Sequence, residues 1–132
     1  MKKQRIQSMK ERNENSPEGL NVSLLSPGTI LVLETLYSFY RIQIIEGKEV
    51  LVTGGMTRSG DDRFPHPTKA IICGSTWGGS SIKVDWIGRE MNLEMIYGEE
   101  MRDKLLTSRI LNLIVEAPDG SWSYSMDWKQ TR

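Results

Sequence analysis

From Leu20 onward the apolar positions recur every second residue, the period of a strand resting on a core rather than of a helix. Residues 39–46 (FYRIQIIE) place Tyr40, Ile42 and Ile44 on one face and Arg41 and Gln43 on the other. Residues 29–36 (TILVLETL) are β-branched and nearly all apolar, the pattern of a strand covered on both faces. Tyr37-Ser38 reads as the tight connection between these two runs. Gly47-Lys48 separates the second run from residues 49–53, with Gly first, which suits a type II′ hairpin needing positive φ at its first central position.

Residues 56–67 (MTRSGDDRFPHP) predict a polar loop, with turn chemistry at Ser59-Gly60-Asp61 and two prolines. Residues 68–73 predict a strand, followed by a Gly/Ser loop over 74–81 (GSTWGGSS). In residues 82–87, Ile82, Val84 and Trp86 are expected on one face, opposite Lys83 and Asp85. Met91, Leu93 and Met95 line the inner face of the next strand. Met101 and Leu105 are four apart and predict one helical turn within residues 97–107. A strand over 110–116, an Ala117-Pro118-Asp119-Gly120 turn, and the stripe Trp122, Tyr124, Met126, Trp128 predict a C-terminal hairpin lying on the core.

These elements define an all-β fold of about seven or eight short strands in one domain, residues 20–132. Its repeated short connections favour an antiparallel meander, since parallel strands need crossovers of a dozen or more residues. A small antiparallel barrel is expected, with a β-sandwich as the alternative. Residues 1–19 carry few large apolar side chains and are expected to form a flexible N-terminal tail.

Composition refines this picture. The 132 residues hold 17 Lys+Arg and 17 Asp+Glu, for a net charge of zero. Residues 1–19 have five Lys/Arg and three Glu, which leaves 12 basic against 14 acidic residues beyond them. A weakly acidic domain lacks the bulk attraction that dominates nucleic-acid binding. A nucleic-acid role would need exposed aromatics beside Arg41, Lys83 and Arg109, and is not expected. Met1 to Asn15 has the positive flank of an export signal without its apolar core, and no window approaches a membrane span. With a single Cys73, a cytoplasmic, membrane-free protein is expected.

Candidate chemistry is sparse. The Gly/Ser loop is the most unusual segment: Ser75, Thr76, Trp77, Gly78, Gly79 and Ser80 could present backbone N–H groups to a ligand. Gly74 and Gly79 have the outer spacing of a phosphate-binding loop, but Ser80-Ser81 stands where Lys-Ser/Thr is required and a strand follows instead of a helix. The plainer alternative is a wide hairpin loop with Trp77 covering one end of the barrel. His66, held between Pro65 and Pro67, is the one histidine and the natural candidate base, with Asp61 and Asp62 near in sequence. His66 and Cys73 lack metal-ligand spacing, so neither metal nor cofactor is expected. Cys73, ending an apolar run, reads as a small buried hydrophobe. Glu99 and Glu100 are adjacent and diverge, so they make no acid/base pair.

The expectation is therefore a small, non-catalytic β-barrel binding or protein-interaction module. Its site would be built from His66 and the 74–81 loop, with a protein or small molecule as partner. The first alternative is a hydrolase or transferase using His66 with a loop serine; the second is a weak nucleic-acid-binding barrel. Pairing of copies through an uncovered sheet edge is a further expectation.

Overall fold

The structure, a computed structural model, describes residues 19–77 and 81–127. The N-terminal tail, apart from Gly19, and the candidate residues Gly78, Gly79 and Ser80 lie outside the described residues, as does Trp128. The described chain forms β1 (Gly19–Asn21), a single 3-10 turn (Val22–Leu24), β2 (Ile30–Thr35), β3 (Phe39–Glu46), β4 (Glu49–Met56), β5 (Asp62–Thr76) and β6 (Ile82–Val84). After these come β7 (Trp86–Gly88), β8 (Asn92–Tyr97), a second 3-10 turn (Glu99–Met101), β9 (Asp103–Glu116) and β10 (Ser123–Asp127). All pairings are antiparallel, and the fold is all-β.

Strands β2 to β5 form a meander of adjacent hairpins. The two longest strands then close it. β5 pairs with β4 through its first part and with β8 from Ala70 onward. β9 pairs with β8 through residues 103–109 and with β2 through residues 110–116. The ladder thus returns on itself as a ring of β2, β3, β4, β5, β8 and β9, with β6 and β10 as flanking strands. Ring closure pairs backbone groups that an open sheet would leave bare at its edges.

Alternation places the core inside this ring. Leu31 and Leu33, Ile42 and Ile44, Val50 and Val52, Ala70 and Ile72, Leu93 and Met95, and Leu113 and Val115 are all buried. The ring has two ends. At one, β1 pairs with β7 and packs Leu20, Val22 and Ile87 into the interior as a plug. The other end carries the three hairpin tips between β2 and β3, β4 and β5, and β8 and β9.

Several expectations are corrected by tertiary context. The loop predicted over residues 56–67 is confined to residues 57–61, and β5 begins at Asp62 and runs through Pro65-His66-Pro67. Prolines fit there because the register against β4 shifts between Val52 and Gly54, and pairing with β8 starts only at Ala70. At its other end β5 absorbs Gly74, Ser75 and Thr76, which pair with both β6 and β8. The predicted strand over 82–87 breaks at Asp85, whose φ is 62°. Its amide donates to the Cys73 carbonyl, its carbonyl accepts from Val22, and its carboxylate pairs with Lys48 at 3.0 Å. The break turns Trp86 inward while Ile82 and Val84 stay exposed, so the three do not share a face. The helical turn expected from Met101 and Leu105 is replaced by the Glu99–Met101 turn and the start of β9, where Leu105 is buried as a strand residue.

Strand β2 departs from expectation in a way that bears on function. Its run of apolar residues is covered on one face only. Leu31 and Leu33 are buried, whereas Ile30, Val32 and Glu34 are half-buried on the outside of the ring.

Candidate functional site

The hairpin end presents an unusual set of residues. Tyr37 is 72% exposed, Phe39 63%, Met56 50% and Leu36 44%. Large side chains so far out of the core, grouped in space, mark a contact surface more often than scattered exposed residues do. Together with Glu34 and Asp62 they line a hollow of about 480 Å³ between the β2–β3 and β4–β5 tips. Phe39 also borders a 280 Å³ hollow lined by Val32, Arg41 and Thr53. A 150 Å³ hollow on its other side is lined by Val32, Ile114, Asn112 and Ser125. The three hollows all border Phe39, and together they surround it from the hairpin tips to the outer face of β2.

The backbone beneath these hollows is firmly held. The Thr35 amide donates to the Ser38 carbonyl at 2.8 Å, and the Ser38 amide to Thr35 Oγ1 at 3.1 Å. The Met56 amide donates to Ser38 Oγ at 3.0 Å, joining one tip to the other. The Tyr37 amide donates to Ser108 Oγ and the Leu36 amide to the Arg109 carbonyl, anchoring the tip to β9. Gly54 and Gly55 follow with φ of 93° and 75°. A Cβ at Gly54 would lie 2.7 Å from the Phe39 carbonyl oxygen, and one at Gly55 would enter the Tyr40 ring. Two glycines here let β4 pass close under the aromatic pair. Burial pushes the Tyr40 hydroxyl above its ordinary pKa, and hydrogen bonds from Ser38 and Arg63 offset part of that rise.

On the outer face, Glu34 and Asn112 are directly cross-strand partners. Asn112 Nδ2 donates to Glu34 Oε1 at 2.5 Å. A carboxylate only accepts, so this contact fixes which way the amide points. Asn112 Oδ1 is consequently buried with no hydrogen-bond partner among the described residues. The charged residues lining the largest of the three hollows, Glu34 and Asp62, are both acidic.

The residues singled out in the sequence lie elsewhere. His66 is exposed on β5, where its carbonyl accepts from Thr68 Oγ1 at 2.9 Å. Ser75 is fully buried: its Oγ donates to the Trp86 carbonyl at 2.6 Å and accepts from the Gly88 amide at 3.3 Å. Thr76 is buried as well, and Trp77 is exposed at the plugged end beside the start of β6. Nine positions of one strand separate His66 from Ser75, about 30 Å of extended backbone. His66 and the 74–77 segment therefore sit toward opposite ends of the ring instead of forming one rim. Cys73 is half-buried, not fully buried, and desolvation together with Glu94 pushes its thiol pKa up. Among the described residues no group of His, Cys, Asp and Glu is placed to hold a metal ion, and no helix is long and apolar enough to cross a membrane.

One signal for this surface was present in the sequence. Phe39 has the parity of Arg41 and Gln43, the outward face of its strand, and Tyr37 sits at a hairpin tip. Asn112 and Ile114 carry no such signal, because only the β2–β9 pairing brings them beside Glu34 and Val32.

The chain matches no protein-family model, no curated protein and no solved structure.

Proposed function

We propose that this protein is a non-catalytic binding module, and that it binds its partner in the hollows around Phe39. The observation that carries this reading is the cluster of four exposed large side chains on a hydrogen-bonded, pre-organised pair of hairpins. Ordering costs at binding fall when the contact surface is already fixed, and exposed aromatics supply contact area at small entropic cost. The acidic lining of the hollow argues against nucleic acid, whose phosphates would be repelled. A lone cysteine accords with a cytoplasmic setting, where thiols remain reduced.

Selection from a random peptide display library against the full chain tests the proposal. Peptides should be enriched whose affinity falls at least about tenfold, or 1.4 kcal/mol, in Phe39→Ser and in Tyr37→Ser. Both residues are largely exposed, so the thermal transition should be nearly unchanged. An absence of enriched peptides, or peptides that bind both variants as tightly as the wild type, overturns the proposal.

A further inference from the structure

We infer that the partner received around Phe39 is a second copy of this chain, related by a two-fold axis so that Arg41 of each copy meets Asp62 of the other. The inference rests on the binding reading and names its partner.

The charge pattern about Phe39 carries it. Arg41 borders the hollow on one side of Phe39, and Asp62 lines the hollow on the other. Register places Arg41 level with Thr53 of β4 and Asp62 level with Met56, about 10 Å further toward the hairpin tips. Phe39 falls between the two levels. Both charged residues are exposed, and no ion pair engages either among the described residues. A cation, an aromatic ring and a carboxylate in that order become their own complement when the order is reversed. A two-fold contact makes that reversal, because it sets one surface patch against itself and residue i meets j as j meets i. With Phe39 near the axis, each Arg41 comes opposite the partner's Asp62, and two ion pairs fix the register of the contact.

The apolar part of the surface fits the same arrangement. Phe39, 63% exposed, stands as a knob between hollows of 280 Å³ and 480 Å³. The ring of each copy can enter a hollow of the other, where Leu36, Tyr37 and Met56 line the wall. Offset or edge-to-face contact between aromatic rings adds to the gain from the area removed from water. The chain has a net charge of zero, so no bulk repulsion opposes the approach of like copies. A partner of a single sign would match one side of Phe39 and be repelled at the other.

Sedimentation velocity on the full chain, from about 5 to about 500 μM, tests this. A reversible dimer is expected, and Phe39→Ser should weaken it at least about tenfold. Arg41→Asp leaves two acids about the ring and Asp62→Arg leaves two bases, so each variant alone should also dimerise at least about tenfold more weakly. An equimolar mixture of these two variants should regain the dimer, because both contacts of the mixed pair then join an acid to a base. A chain that stays monomeric throughout, or a mixture that associates no better than its components, overturns the inference. So does a dimer that survives Phe39→Ser, which would place the contact at an open edge such as β6 or β10. Display peptides that depend on Phe39 would then leave the binding module standing with a different partner; without them both readings fall.

Discussion

Ser75 shows how one hydroxyl can be read as chemistry in the sequence and as architecture in the fold. Its Oγ bridges the Trp86 carbonyl and the Gly88 amide from a fully buried position, tying β5 to β7. Ser75→Ala should strip both backbone groups of a partner and cost about 1–3 kcal/mol, measured by denaturant unfolding, with peptide binding at Phe39 unaffected. Cys73 is a second residue with a measurable signature. Desolvation and the nearby Glu94 raise its folded pKa, against the lowering influence of Lys48 and Lys104. The folded thiol therefore holds its proton more tightly than the unfolded one. The stability this contributes is fully present below the ordinary thiol pKa and is lost as pH rises through the raised folded value. Alkylation at mildly alkaline pH should be slower in the folded chain than in denaturant. Cys73→Ala should flatten the alkaline decline in stability; equal alkylation rates in both states would contradict the assignment.

Strands differ in how many neighbours protect them. β9 is paired on one side by β8 and then β10, and on the other by β2 through its second half, while β6 and β10 each flank the ring with one strand partner. Native-state hydrogen exchange should be slowest at the β9 positions 112–116, which are paired on both sides, and in β3, and fastest in β6 and β10. Uniform protection would show that β6 and β10 are covered by another chain. At this scale the sequence was legible wherever two-residue alternation was uninterrupted. It gave the inward residues of β3 and β8 correctly. It failed where one residue resets the phase: the positive φ at Asp85, the proline-bearing bulge of β5, and Leu111 of β9, the extra residue opposite Glu34 and Thr35. Such resets depend on which strand lies alongside, and alternation carries no information about that.

The whole molecule is a ring plugged at one end and bearing the exposed side chains of Leu36, Tyr37, Phe39 and Met56 at the other. The plug is short, yet Leu20 and Val22 are completely enclosed by strands from across the chain. Leu20→Ala should therefore destabilise the entire domain by about 2–5 kcal/mol, seen as one cooperative transition at lower denaturant concentration. A separate early transition would mean that the plug folds independently of the ring. The core is complete without Phe39 and Tyr37, so both can be replaced at little cost to folding.

What the amino-acid order determined alone is the class of fold and the sidedness of its strands, because period-two hydrophobicity has a single physical solution, a sheet with one face buried. It also marked Phe39 as an apolar residue on a polar face. Only the tertiary structure decided that β9 returns to β2, that His66 and Ser75 stand far apart on one strand, and that Glu34 meets Asn112. Those facts rest on pairings between segments distant in the chain. Their register is set by closure of the ring and by local bulges, neither of which leaves a periodic trace in the sequence.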